Sequence, residues 1–396
     1  MTNIKGNMVI AQSGGPTMVI NQSLVGALLE AKKHHHIDKI FGSLHGIKGI
    51  LEENFVDLRL ESDENLEKVA KTPSSALGSV RMKPTKDDCG KIFDILKKHD
   101  VHYFYYIGGN DSAETVYIIN EEAQDVDYDL RSFHIPKTID NDLLENDHTP
   151  GFGSAAKFVA SAVMGDNLDN RALGGVKIDV IMGRHAGFLT GASALARVFP
   201  GDGPHLIYLP EVPFSTDRFV EDVQKIVDEL GRCVVAVSEG IADENGTPIV
   251  AKLMNEVDSH GNLQLSGTGA LGDILVAELK EKTDISRVRA DTFGYLQRSF
   301  VGCVSENDVI EARQVGKEAV KASLTAESGS IAIKRVDSDE YQIEYVLVPL
   351  KNVAKETKHM AAEFIAENGH DVTPEFINYL KPIVGGLPET GKLNGI

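Results

Sequence analysis

Two carboxylates and a lysine crowd into the segment Pro136-Lys137-Thr138-Ile139-Asp140-Asn141-Asp142. Phosphoryl transfer to an alcohol calls for those groups: a base for the hydroxyl proton, an oxygen ligand for a metal, and a cation for the charge on the transferred group. Read alone, the segment also suits an Asx-rich surface turn. Two glycine pairs lie upstream, in Ser13-Gly14-Gly15-Pro16 and in Gly108-Gly109-Asn110-Asp111-Ser112. Each lets backbone N–H groups approach an anion without a Cβ in the way, and a following helix N-terminus would add its dipole. Close packing at a strand-to-helix turn explains such a pair equally well. Arg81 and Lys83, in Gly78-Ser79-Val80-Arg81-Met82-Lys83, fall between the two pairs and favour phosphate. A P-loop ending Gly-Lys-Ser/Thr is absent from the sequence.

A second group of segments suits a phosphorylated sugar. Met182-Gly183-Arg184-His185-Ala186-Gly187 sets a guanidinium beside a glycine, and Ser238-Glu239-Gly240 offers a carboxylate for hydroxyls. A cap or a salt bridge would also account for Arg184. Arg289 and Arg298 flank Phe293-Gly294-Tyr295-Leu296-Gln297, a pair that could grip a phosphate monoester. One segment points elsewhere. Gly267-Thr268-Gly269-Ala270-Leu271-Gly272 fits the dinucleotide pattern and has Asp291 downstream, which makes a nicotinamide-dependent dehydrogenase the rival. The run before it, 263–265, is short and polar, and no other segment supports that reading.

The elements that must hold these residues follow from periodicity. Short β-branched runs alternate with amphipathic stretches, which predicts parallel sheets covered by helices on both faces. Strands are predicted over 8–11, 40–43, 103–107 and 132–135, with helices over 18–33 and from Ser112 to about 123. After Gly151-Phe152-Gly153 the pattern restarts with a helix, strands near 178–182, 206–209 and 234–238, and helices over 216–230 and 270–282. A strand near 289–293, a helix over 307–324, strand-like runs at 330–335 and 341–348, and a helical tail complete the chain. Each polar segment therefore follows the C-terminal end of a strand, where open α/β sheets bind ligands. The tail's apolar spacing at Val353, Met360, Phe364 and Ile365 reads as core or interface.

Composition narrows the partners. The 396 residues are 42% hydrophobic and 25% charged, enough for two cores and unlike a disordered chain. A net charge of −19 repels nucleic acid and anionic membranes, so phosphate ligands need locally gathered cations. The N-terminus lacks signal-peptide features, no apolar run nears the roughly 18 residues of a membrane span, and Cys89, Cys233 and Cys303 are scattered. That pattern predicts a cytoplasmic protein with reduced, buried thiols. His34-His35-His36 has no second ligand cluster and is expected to be a solvated helix end.

These segments, in this order, resemble the phosphofructokinase family from about residue 8 to 324. The family's Gly-Gly-Asp-(Gly or Asp)-Ser turn is similar to 108–112, its Thr-Ile-Asp-Asn-Asp loop to 138–142, its Met-Gly-Arg to 182–184. Its sugar-binding glutamate matches Glu239, and its Arg followed by Gly-(His or Tyr)-x-Gln-Arg matches Arg289 and 294–298. The resemblance implies two Rossmann-like lobes with the active site between them. The donor lobe would comprise 1–152 and about 299–350, the fructose 6-phosphate lobe about 153–298, and a helical C-terminal extension 351–396. It implies Asp140 as the base for the sugar's 1-hydroxyl, Asp142 and Asn110 at magnesium, and Arg81 and Lys137 on the transferred group. Gly15, Gly109, Asp111 and Lys137 would line the donor. Thr138, Asp142, Met182, Gly183, Arg184, Glu239, Tyr295 and Arg298 would hold fructose 6-phosphate, with Arg289 serving a neighbouring subunit in a homo-oligomer, a dimer or tetramer.

Donor choice rests on two positions. Members that use ATP usually carry glycine at the places of Asp111 and Lys137, whereas members that use pyrophosphate carry aspartate and lysine. Asp111 puts bulk and negative charge where an α-phosphate would lie, and Lys137 neutralises a short donor. The expected reaction is thus reversible phosphoryl transfer from pyrophosphate to fructose 6-phosphate, with magnesium. ATP as donor, or a non-catalytic regulatory subunit that binds sugar phosphates, are the alternatives. Three departures from the family stand out: Asn110 in place of aspartate, Gly-Gly-Pro-Thr-Met in the first turn, and Gly175 where an arginine is usual, with Lys177 nearby.

Overall fold

Along β1 (Gly6–Gln12) alternate side chains enter two different cores: Met8 and Ile10 pack on one face, Val9 and Ala11 on the other, all fully buried. A strand covered on both faces has no polar alternation, which is why its sequence reads as a continuous apolar run. The structure, a computed structural model, describes residues 4–252, 269–338, 340–354 and 356–394. It divides into two compact units, Met1–Phe152 with Glu306–Lys358, and Gly153–Ser305 with His359–Ile396.

In the first unit, β1 lies between β2 (Ile37–Ser43) and β4 (Val101–Gly108), and β4 pairs with β5 (Arg131–Pro136), all parallel. The seven-stranded order is β11-β10-β5-β4-β1-β2-β3. Its edges are antiparallel, β3 (Phe55–Asp57) on β2 and β11 (Ile343–Val348) on β10 (Ser328–Arg335). Tyr103, Tyr105 and Ile107 face the helices Ile20–Ala31 and Glu306–Ala322, while Phe104 and Tyr106 face Lys86–Lys98 and Asn110–Asp125. The Lys86–Lys98 helix, which the periodicity reading passes over, starts from a capping box in which Thr85 and Asp88 bond reciprocally.

The second unit carries an all-parallel sheet of order β7-β8-β6-β9, from β6 (Gly175–Ile181), β7 (Leu206–Tyr208), β8 (Arg232–Ser238) and β9 (Val288–Thr292). Val176, Ile178, Val235 and Val237 pack with Phe219 of the helix Thr216–Leu230 and Leu275 of the helix Ala270–Lys282. The α/β architecture with mostly parallel sheets is the expected one. The run 263–265, Gly267 and Thr268 lie outside the described residues, so only the end of the dinucleotide-like pattern is described: Gly269 precedes the helix Ala270–Lys282.

Three expectations need correction. Among the described residues after the helix Leu350–Val353 and a single 3-10 turn, the tail is helical only over Pro374–Val384. Asn368 and Gly369 turn the chain, Ala366 N donates to Asp371 O, and Ile365 bridges Val372, so a continuous helix is interrupted. Of the histidine run just past the helix Ile20–Ala31, His35 is exposed as expected, but His34 and His36 are half-buried, the His36 ring packing 5.8 Å from Tyr103 and 5.5 Å from His34. Cys89 and Cys233 are buried free thiols, but Cys303 is partly exposed. Among the described residues no helix is long and apolar enough to cross a membrane.

Candidate active site

Since β1, β4 and β5 are neighbours and parallel, their C-terminal ends bring three polar turns side by side. The turns are tied to one another. Lys137 Nζ donates to Gly15 O at 2.8 Å, and its backbone N donates to Gly108 O at 3.0 Å. Ser112 Oγ donates to Ser13 Oγ at 3.0 Å, and Ser79 Oγ to Gly14 O at 2.6 Å. Lys137 is 4% exposed, so its ammonium lies inside the cradle of the two glycine pairs, not in bulk water. Below the turns, buried His134 bridges Gly108 O and Ser330 Oγ at 2.8 Å each.

Asn110 opens the helix Asn110–Asp125 after Gly109, and Asp111 stands in its first turn. Lys83 lies 3.7 Å from Asp111 and 3.0 Å from Glu114, so both acids are paired within this unit. Asn110 Oδ1 is buried and has no hydrogen-bond partner among the described residues. Arg81 is exposed.

The loop after β5 is pinned at both ends. Thr149 Oγ1 donates to Thr138 O at 2.9 Å, and Thr138 bridges Gly151. Asp140 N donates to Thr138 Oγ1 at 3.1 Å. Burial raises the Asp142 carboxyl above its ordinary value, against the Thr138 hydrogen bond and the charges of Lys358 and Lys137. Asn141, between the two acids, is fully buried with φ 59°.

The second unit assembles its own set. At the end of β6, Met182 N donates to Oε1 of buried Gln297 at 3.1 Å, and Ser238 Oγ donates to Gly183 O at 2.7 Å. Glu239 N donates to Ile181 O at 2.8 Å, which sets Glu239 beside the Met182-Gly183-Arg184 turn. A Cβ on Gly240 would lie 2.0 Å from Arg184 O, so only glycine permits that approach. The Arg298 guanidinium stacks 4.6 Å from the Tyr295 ring, a cation–π pair. Arg289 projects from β9 and folds Nη1 onto Val288 O at 2.8 Å.

Gly175 explains one departure. It has φ 76°, and a Cβ there would stand 2.4 Å from Arg287 O, so an arginine cannot occupy the position. Lys177 is ion-paired with Asp166 at 3.6 Å and with Asp291. Glu211 was not singled out from the sequence, yet its Oε1 accepts from Gly187 N and Met360 N at 2.9 Å each. No spacing rule links residues so far apart in the chain, whereas Gln297 lies inside a legible motif.

The sequence pattern of the family described as Phosphofructokinase matches residues 7–323. The chain is 58% identical to the pyrophosphate–fructose 6-phosphate 1-phosphotransferase of Rhodospirillum rubrum, over 98% of this chain and 97% of that protein. It is 38% identical to the protein of that name from Xanthomonas campestris pv. campestris, over 98% and 93%. Its structure is similar to the pyrophosphate-dependent phosphofructokinase of Nitrosospira multiformis, with a TM-score of 0.87 and 32% identity over 99% of this chain and 95% of that one.

Proposed function

From the premise that the chain belongs to the phosphofructokinase family, we propose how its residues carry out phosphoryl transfer from pyrophosphate to fructose 6-phosphate. The enzyme yields fructose 1,6-bisphosphate and phosphate. Asp140 takes the proton from the 1-hydroxyl as that oxygen bonds to phosphorus; the bridging P–O bond of pyrophosphate breaks, and phosphate leaves. The reaction is reversible, because exchanging this anhydride for a phosphate ester releases less free energy than spending ATP.

One observation carries the donor reading: the Lys137 ammonium bonds Gly15 O within the glycine cradle. A fixed cation there neutralises a short donor, and Asp111 repels an additional phosphate. Gly15 and Gly109 give the donor oxygens access to backbone, and Arg81 supports the transferred group. Magnesium, when bound, neutralises donor charge and polarises the transferred phosphoryl group. The orphaned Asn110 Oδ1 and the Asp142 carboxyl are hard oxygen donors of the kind it takes. Thr138, Asp142, Met182, Gly183, Arg184, Glu239, Tyr295 and Arg298 hold fructose 6-phosphate. Arg289, exposed on β9, serves a second copy of the chain, so the working form is a homo-oligomer, and its compartment is the cytoplasm.

The test is the initial rate of fructose 1,6-bisphosphate formation with magnesium and either pyrophosphate or ATP at equal concentration. A rate with pyrophosphate alone is expected; a rate with ATP alone would overturn the donor assignment. Light scattering on the purified protein checks the oligomer, and a monomer at assay concentration would remove the role given to Arg289.

A further inference from the structure

The loop that carries Asp140 and Asp142 is held by one lysine far away in sequence. On one side the loop returns to the sheet, where Asp147 N donates to Ile333 O at 2.8 Å and Asn146 Oδ1 accepts from Ile333 N at 3.2 Å. On the other side Leu143 forms an antiparallel bridge with Thr357, and Lys358 N donates to Asp142 O at 2.8 Å. The Lys358 ammonium then crosses the loop. It donates to Asn141 Oδ1 at 3.3 Å, near the loop's start, and to the carbonyls of Asn146 and Asp147 at 2.9 Å each, at its end. An ammonium has three protons to donate, so one side chain can hold several acceptors of the loop at once.

The need for such a clamp is visible in the backbone. Asn141 has φ 59° and Glu145 φ 63°, two left-handed residues within one short loop. Conformations of this kind cost about 1 kcal/mol or more each and persist only where the surroundings over-determine them. Asn141 stands between the two carboxylates, so any relaxation of its backbone re-aims both.

We propose that Lys358 is a positioning residue for the transfer reaction, closing the 141–147 loop so that Asp140 and Asp142 are held in register. The proposal rests on the assignment of Asp140 as base. A base displaced by about 1 Å costs on the order of a hundredfold in rate, whereas sugar binding, shared between Thr138 and Asp142 of the loop and the residues of the second unit, is expected to weaken less.

The experiment compares the full-length wild type with Lys358→Met and Lys358→Arg. Lys358→Met keeps the aliphatic stem and removes every donor; its kcat is expected to fall roughly 10- to 100-fold, with a smaller, several-fold rise in KM for fructose 6-phosphate because Thr138 and Asp142 share the loop. Hydrogen–deuterium exchange over 139–147 should rise in that variant while the β8 and β9 peptides stay unchanged. Lys358→Arg, which restores donors and charge, should recover part of kcat. A kcat within twofold of wild type, or unchanged exchange over 139–147, would overturn the proposal. If Lys358→Met does not fold, the same two readings on Lys358→Gln decide. Asp140→Asn runs in parallel: if it stays active the base assignment fails, and if it is inactive while Lys358→Met is fully active only the positioning role fails.

Discussion

Lys137 Nζ donates to the carbonyl oxygen of Gly15 at 2.8 Å, across 122 residues of chain. The contact joins the turn after β5 to the turn after β1 and leaves a cation beside both glycine pairs, where we have proposed that a short anionic donor binds. A charge-assisted hydrogen bond from that ammonium to a donor oxygen would be worth about 1.5–3 kcal/mol. Lys137→Met should therefore lower kcat/KM for pyrophosphate roughly 10- to 150-fold, with a smaller effect on fructose 6-phosphate binding measured by calorimetry. The double variant Asp111→Gly, Lys137→Gly should shift preference toward ATP. Steady-state rates with both donors check this, and an unchanged preference would mean that these positions do not select the donor.

Asp140 gives a sharper expectation. Replacing it by asparagine removes the proposed proton acceptor with almost no change in volume, so fructose 6-phosphate affinity should hold while kcat drops at least about a hundredfold. Calorimetric binding beside steady-state turnover separates the two effects. Near-normal turnover would assign the base to another residue.

How far these residues could be read in advance depends on how local their signals are. The run 103–107 announces a doubly buried strand because Tyr103, Tyr105 and Ile107 face one core and Phe104 and Tyr106 the other. The glycine pairs were legible because each ends such a strand. The pairing of Lys83 with Asp111, the reach of Lys358 to Asn141 and the two bonds of Glu211 were not, because they depend on tertiary placement and leave no spacing in the sequence. Local rules also misled where packing overrode them: His34 and His36 of a polar run became half-buried beside Tyr103, and the expected helical tail is broken into a short helix, a 3-10 turn and a later helix, although Val353 and Met360 of its apolar spacing are buried as expected.

Gln297 is a case where a motif residue acts through backbone. It is 1% exposed; its Oε1 accepts from Met182 N at 3.1 Å, and its Nε2 donates to Gly294 O at 3.0 Å. Gln297→Leu keeps the volume but leaves a buried N–H without its acceptor, at about 1–3 kcal/mol. Thermal or urea unfolding should register that loss, and KM for fructose 6-phosphate should rise several-fold because the Met182-Gly183-Arg184 turn loses its anchor. Stability falling with KM unchanged would limit Gln297 to a structural role.

His134 sets an acid limit on stability. Its ring is fully buried; Nε2–H donates to Gly108 O, and Nδ1 accepts from Ser330 Oγ, which is the neutral tautomer. Burial pushes its pKa down to about 4 from 6.5, opposed by the Gly108 carbonyl and reinforced by the Lys137 charge. Between those values the unfolded chain binds a proton that the folded chain refuses, so unfolding free energy must rise with pH from about 4 to 6.5. The neutral ring's contribution is complete above the unfolded value and is lost as pH falls through the window, on the order of 3 kcal/mol in all. His134→Gln keeps a donor for Gly108 and an acceptor for Ser330 but cannot titrate. In urea unfolding at pH 4.5, 5.5 and 7 it should flatten the pH dependence by nearly one proton, about 1.4 kcal/mol per pH unit. An identical slope in variant and wild type would mean that His134 titrates alike in the folded and unfolded chain, and that burial does not hold its ring neutral.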